Sequence, residues 1–364
     1  MTAMTMDTAL PPTATQRLLH DLRRNYFASP LGSLVTAVSV GLTLLVLWKV
    51  LDWAVLSATF DPAARQPECA ANGGACWSVI ANRWRLIIFG IYPYEEQWRS
   101  ALAIVAVIVM MVLSCIPRFW SLKRLTAIWG IGAATFYILM KGGVLGLREV
   151  GEEQWGGLCL TLFLFVATSL LGMPLAIGLA LMRRSEMPVI SKVTGWFIDC
   201  VRSLPLLAIL FTFAIVLPFM LPGFLIGEKL YRVVIGGALF FAAYQAEIIR
   251  GGFQGIGRGQ EEAAKALGIP YRHRITRIVL PQTFRLALPA TINQFVITFM
   301  ETSLVVVVGF VELLAAGSAA YGTGDWKFAY VEVYAFISLI YFTFVFGLSR
   351  YGAYLERRMN VGRR

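Results

Sequence analysis

Three sets of residues in this chain have the types and spacing to do chemistry. The run Gly251-Gly252-Phe253-Gln254-Gly255-Ile256-Gly257-Arg258-Gly259 has the composition of a loop whose backbone N–H groups cradle a phosphate. Spacing excludes that use, because no G-x-x-x-x-G-K-[ST] occurs anywhere and the run follows an apolar stretch of helix length, not a strand. Glycine there serves a sharp turn and a close backbone approach instead. The second candidate is Glu301, a carboxylate deep in an apolar run, where a charge is costly and marks a polar path or a buried partner. At about 100° per residue, Gln294, Thr298 and Glu301 fall on one helical stripe, with Asn293 and Ser303 to its sides. Two readings stand: the stripe lines a solute path or its gate, or the carboxylate is satisfied by its neighbours in a bundle. The third set is Glu247 and Arg250, spaced i, i+3 and able to pair with each other or to contact a solute. Metal chemistry has no support, since the only histidines are His20 and His273 and the five cysteines lack ligand spacing.

The elements that must hold these residues lie in a membrane. Hydrophobic residues make up 58% of the chain and charged residues 15%, with a mean hydropathy of +0.68, too apolar for a soluble globule. Asn25 to Trp48, Ser100 to Ile116, Gln154 to Met182, Ser203 to Gly227 and Val333 to Ser349 contain no Asp, Glu, Lys or Arg. Each is close to the ~17–25 residues that cross hydrocarbon. Leu125 to Leu147, Tyr231 to Ile249 and Leu286 to Val311 carry one or two charges each, so the expectation is about eight transmembrane helices in an all-α integral membrane fold. Pro174 and Pro205 are expected to kink their helices.

Orientation follows from the basic residues. With the N-terminus in the cytosol, the inside segments are the first tail, loops around Arg118–Arg124 and Arg183–Lys192, the stretch Arg250–Arg285 and the C-terminal tail, and these hold most of the 32 Lys and Arg. Both termini are therefore expected inside. The net charge of +11 is mostly this topological signal, and the basic residues form no continuous stripe of the kind that binds nucleic acid. The first residues are polar and read as a disordered tail, and the first apolar run is too long for a cleaved signal. Cys69 and Cys76, in an outside segment, stand close enough to form a small disulfide or to remain two free thiols.

Between two long apolar runs lies Glu261 to Pro281, EEAAKALGIPYRHRITRIVLP. A helix-forming run through Glu262, Ala263 and Ala264 is expected to stop at Gly268, where a left-handed cap is cheap, with Pro270 preventing its continuation. A second short helix carries Tyr271, Arg272, Ile278 and Leu280, and Pro281 is expected to end it. The product is a helix-turn-helix knob standing out of the bilayer. As a pattern, Glu262-Ala263-Ala264, three residues, Gly268, nine residues and Ile278-Val279-Leu280-Pro281 resembles the EAA loop in permease subunits of binding-protein-dependent ABC importers. The flanking Ala243-Tyr244-Gln245-Ala246-Glu247-Ile248-Ile249-Arg250-Gly251-Gly252 and Glu301-Thr302-Ser303-Leu304 resemble the polar amino acid subfamily, and the longer N-terminal half is similar to permeases of general L-amino acid uptake. The likeness runs from about Trp155 to the C-terminus.

The resemblance implies a cytosolic tail at 1–29, three added helices at 30–154 with an outside loop at 57–98, a five-helix type I permease core at 155–353 with the coupling loop at 251–285, and a tail at 354–364. It implies that Glu261, Glu262, Ala263, Ala264, Gly268, Tyr271, Arg272, Ile278, Leu280 and Pro281 couple to an ATPase, and that Arg202, Glu247, Gln294, Thr298, Glu301 and Ser303 line a substrate path or gate. Arg202, in Arg202-Ser203-Leu204-Pro205, resembles a recurrent feature of the subfamily; anchoring at the interface is its other reading. The implied partners are two copies of an ATP-binding subunit, a second and different permease chain, and a periplasmic amino-acid-binding protein. ATP belongs to the ATPase, no cofactor to this chain, and no catalytic residue is expected. The competing reading is a secondary transporter driven by an ion gradient through Glu301.

Overall fold

The computed structural model describes residue 15, residues 22–322 and residues 324–360. Most of the tail expected at 1–29 and the end of the tail at 354–364 lie outside the described residues. The chain forms two compact units, Met1–Ser78 and Val79–Arg364.

The first unit is built on α1 (Pro30–Leu51), which begins where the Ser29 hydroxyl accepts the Gly32 N–H at 3.0 Å and Pro30 fills the first turn. It runs on through a π-turn, Asp52–Leu56, to 27 residues and buries no side chain within the unit. A helix apolar on every side is a membrane helix. Beyond it, α2 (Gln66–Asn72) is tied down by a Cys69–Cys76 disulfide. Thr59 donates to the Ala75 carbonyl at 2.8 Å and accepts from Trp77 N–H at 2.9 Å, so the segment is folded.

In the second unit, α3 (Ser78–Phe89) replaces part of the loop expected at 57–98. A hairpin of α4 (Gln97–Cys115) and α5 (Leu122–Lys141) then packs on α6 (Gly157–Arg183), so these added helices belong to the same unit as the core. α6 pairs most extensively with α9 (Lys229–Gln254), at a crossing where Gly172 lies under the Phe241 ring and leaves no room for a β-carbon. α9 packs in turn on α11 (Leu280–Glu301), which packs on α13 (Tyr330–Asn360). Six helices among the described residues are long and apolar enough to cross a membrane, and a seventh is reached if the bent pair Pro188–Ser203 and Leu206–Met220 forms one span. The eighth span expected, Leu125 to Leu147, is α5, whose 20 residues measure about 30 Å but whose ends carry Lys123, Arg124 and Lys141, which dilute its apolarity.

Several expectations are corrected. The inside loop around Lys192 is a helix, α7 (Pro188–Ser203), whose Ile198 and Val201 are buried while Lys192 and Asp199 are exposed. Its apolar residues recur at helical spacing between charges, so it lacks a charge-free run. At Pro205 the chain turns by 99° into α8 (Leu206–Phe211), which continues through a π-stretch to Met220. Pro174, by contrast, sits inside a continuous α6. After Val311 the chain forms α12 (Leu313–Gly322), packed on α6 and α13. Its start is secured by Glu312, fully buried, which accepts the N–H groups of Leu314 and Ala315 at 2.9 Å each and the Tyr341 hydroxyl at 3.2 Å.

Candidate functional site

The knob forms as a short helix, a glycine turn and a second helical run. α10 (Arg258–Ala266) ends with Gly268 N–H on the Lys265 carbonyl at 2.9 Å and Ile269 N–H on the Ala264 carbonyl at 3.1 Å. Those two bonds make a Schellman cap, and Gly268 takes the left-handed φ of +66° that it requires. Pro270 follows and helix resumes at Tyr271. Pro281 does not end this second run, contrary to expectation. Residues Arg274–Val279 form a π-helix, and its wider turn shifts the backbone register by a residue just before Pro281 enters α11. The Ile278 carbonyl accepts the Gln282 side-chain amide at 2.8 Å, and the Val279 carbonyl accepts the Thr283 hydroxyl at 2.9 Å. The segment expected at 251–285 thereby shortens: α9 still includes Gly251 and Gly252, the turn spans Gly255–Gly257, and Arg285 is already inside α11.

Within the knob, Glu262, Ala263, Gly268, Tyr271, Arg272 and Pro281 are exposed, as is Leu267 at 78%. Ala264 is buried, while Ile278 and Leu280 are partly so. Ile275 and Val279 enter the same apolar cluster as Ala180 of α6, Ile198 of α7 and Ile249 of α9. Glu261 faces inward. It pairs with Arg184 at the end of α6 and with Arg274 of the π-stretch at 3.5 Å. The adjacent Arg183 turns the other way, to Glu247 of α9 at 3.2 Å and Asp199 of α7 at 3.6 Å. Glu247 also binds Arg250 at 2.8 Å and Arg202 at 3.7 Å. Two neighbouring arginines on one helix end therefore tie the knob and the ends of α7 and α9 into one ionic frame. Arg183, Arg184, Asp199 and Arg274 escaped sequence reasoning because their partners lie far along the chain, Glu261 being 77 residues from Arg184.

The six residues expected to line a path fall into three places. Arg202 and Glu247 belong to the ionic frame. Ser303 bonds back to the Met300 carbonyl at 2.9 Å. Gln294 and Thr298 do share a buried stripe of α11, joined by Thr291, which accepts the Gln245 side-chain amide at 2.8 Å. Thr298 and Glu301 also line a cavity with Thr168 and Leu164 of α6, Leu206 of α8 and Phe240 of α9. The cavity holds about 30 Å³, enough for one or two waters. Among the described residues nothing donates to the Glu301 carboxylate. Gln245 and Thr168 carried a sequence signal, each being a polar residue within a largely apolar span.

The family model for the inner membrane component of binding-protein-dependent transport systems matches residues 172–361, the stretch that holds the knob, the ionic frame and most of the cavity. The inner membrane amino-acid ABC transporter permease protein YhdY of Escherichia coli is 37% identical over 94% of this chain and 93% of its own length. The glutamate/glutamine/aspartate/asparagine transport system permease protein BztC of Rhodobacter capsulatus is 31% identical over 93% of each. The shorter glutamate/aspartate import permease protein GltK of Escherichia coli is 32% identical over 56% of this chain and 91% of its own length.

Proposed function

The chain belongs to the inner-membrane components of binding-protein-dependent transport systems, and from that membership we propose that it carries amino acids into the cytoplasm by alternating access driven by a separate ATPase. It is a multi-pass membrane permease, and the family implies an ATP-binding subunit and a substrate-binding protein as partners. Amino acids are the substrate class because the relatives that match nearly its whole length are amino-acid permeases by name. The carrying observation is the Glu261 link. A partner that seats on the exposed Glu262, Leu267, Tyr271 and Arg272 grips a knob whose inner face is ion-paired to α6 and buried in the α6–α7–α9 cluster. Closure of two ATPase copies on two such knobs would then tilt those helices together. ATP is bound and hydrolysed by the partner, and this chain makes or breaks no bond.

The present cavity is too small for an amino acid, so passage requires α8 and α11 to separate near Glu301. A second permease chain completes the pore, and the added N-terminal helices favour a different chain in that role.

Two measurements test this reading. Arg184→Gln removes the link while leaving the knob's exposed face intact. It should preserve co-elution with the ATPase and reduce ATP-driven uptake about tenfold, whereas Glu262→Lys should weaken co-elution itself. Normal uptake by both variants would leave the knob without a coupling role, and uptake driven by an imposed ion gradient without ATP would then favour Glu301 as a carrier site. Orientation is tested separately in a cysteine-free background. Single cysteines at Arg124, Arg184 and His273 should label only from the cytosol and those at Ala71 and Glu153, which is exposed, only from outside, as the distribution of basic residues requires. Labelling of position 273 from outside would place the knob beyond reach of any ATPase.

A further inference from the structure

We propose that the seam between the α4–α5 hairpin and α6 is a binding site for one anionic phospholipid. The seam contains an apolar slot of about 290 Å³, walled by Met110 of α4, Trp129 and Phe136 of α5, and Phe163 and Ala167 of α6. It opens sideways past Ala133, Tyr137 and Leu170, all of them exposed. Water gains nothing from so apolar a lining, and a membrane supplies acyl chains in its place. The walls sit on α4 and α6, both of which are long and apolar enough to cross the bilayer.

Charge selects the headgroup. The α4–α5 turn carries Arg118, Lys123 and Arg124, all exposed, and among the described residues none of the three has an ion-pair partner. Arg358 of α13 joins them by stacking on Trp120 at 5.1 Å. The one carboxylate in the adjoining turns of α13 is Glu356. Slot and cations are physically joined: the Trp129 indole donates to the Ser114 hydroxyl at 3.0 Å, and the Trp120 indole donates to the Ser114 carbonyl at 2.9 Å. Lys123 and Arg124 precede Trp129 by five or six residues on α5, about 8–9 Å along the helix. A chain in the slot therefore brings its phosphate to the basic turn. Two tryptophans at that level mark the headgroup region of the bilayer. This site is independent of the ATPase and of the knob.

The test is native mass spectrometry on the purified full-length chain, with dioleoyl phosphatidylglycerol and dioleoyl phosphatidylcholine at equal mole fraction as probes. The wild type should retain one phosphatidylglycerol with at least tenfold preference, since each basic residue near an anionic surface adds about a fivefold factor in affinity. Arg118→Gln with Lys123→Gln and Arg124→Gln should lower the preference to about the fivefold that Arg358 alone supplies. These residues are exposed, so the fold should survive, as an unchanged melting temperature would show. Ala167→Phe, which fills the slot, should reduce retention of both lipids. Equal retention of the two lipids by the wild type, an undiminished preference in the triple variant, or full retention in Ala167→Phe would each overturn the proposal.

Discussion

Gly268→Val is expected to insert into the membrane at normal yield and to lose ATP-driven uptake almost completely. The left-handed φ of +66° is what closes the Schellman cap, and a β-carbon there would meet no atom within 4 Å. The penalty is therefore backbone strain alone, about 1–2 kcal/mol or more for a β-branched residue, and it is relieved by letting the cap open. An open cap redirects Tyr271 and Arg272 relative to Glu262, so a partner that fits the native knob meets a misaligned surface. Gly268→Asn separates this account from a general loss of stability, because asparagine tolerates the left-handed region and should retain most uptake. The measurement is ATP-dependent uptake in vesicles, alongside co-elution with the ATPase. Equal activity in Val and Asn variants would mean that the cap geometry is irrelevant to coupling.

Glu301→Gln is expected to reduce uptake by roughly tenfold to a hundredfold while complex yield stays unchanged or rises. No described neighbour compensates the carboxylate, so its neutralisation removes a solvation cost and breaks no ion pair. A hydrogen bond from a passing solute to a charged group is worth about 1.5–3 kcal/mol, which sets the size of the effect. Glu247→Gln makes the instructive contrast. It leaves Arg183, Arg202 and Arg250 without their shared counter-charge, so it should lower the yield of intact protein before it alters the rate of what remains. A Glu301→Gln complex that disassembles, with its surviving fraction transporting normally, would return Glu301 to a structural role.

The knob was legible in the sequence because its determinants are local. A left-handed cap needs glycine at one position, a stop needs proline two residues later, and the apolar spacing around Arg272 and Arg274 is helical. Pro281 misled for the same reason: proline ends an α-helix, and nothing local announces that six residues of π-helix precede it. The proposed path was half legible. Thr298 and Glu301 share a cavity as their helical phase predicts, but Ser303 bonds to its own helix, and Arg202 pairs with Glu247, which Arg183 and Arg250 also hold.

By itself, the sequence determined that the chain crosses a membrane many times and that a capped, charged knob interrupts the apolar runs. These follow from transfer free energies, capping and backbone sterics, which act over a span of a few residues. Tertiary structure decided what the charged residues do. Arg183 and Arg184 are adjacent in sequence and identical in type, yet α6 ends so that one meets Glu247 and the other meets Glu261. Partner choice at that range depends on how helices cross, as where Gly172 admits Phe241. Such a crossing is set by packing among residues distant in the chain, and periodicity within any one of them does not contain it.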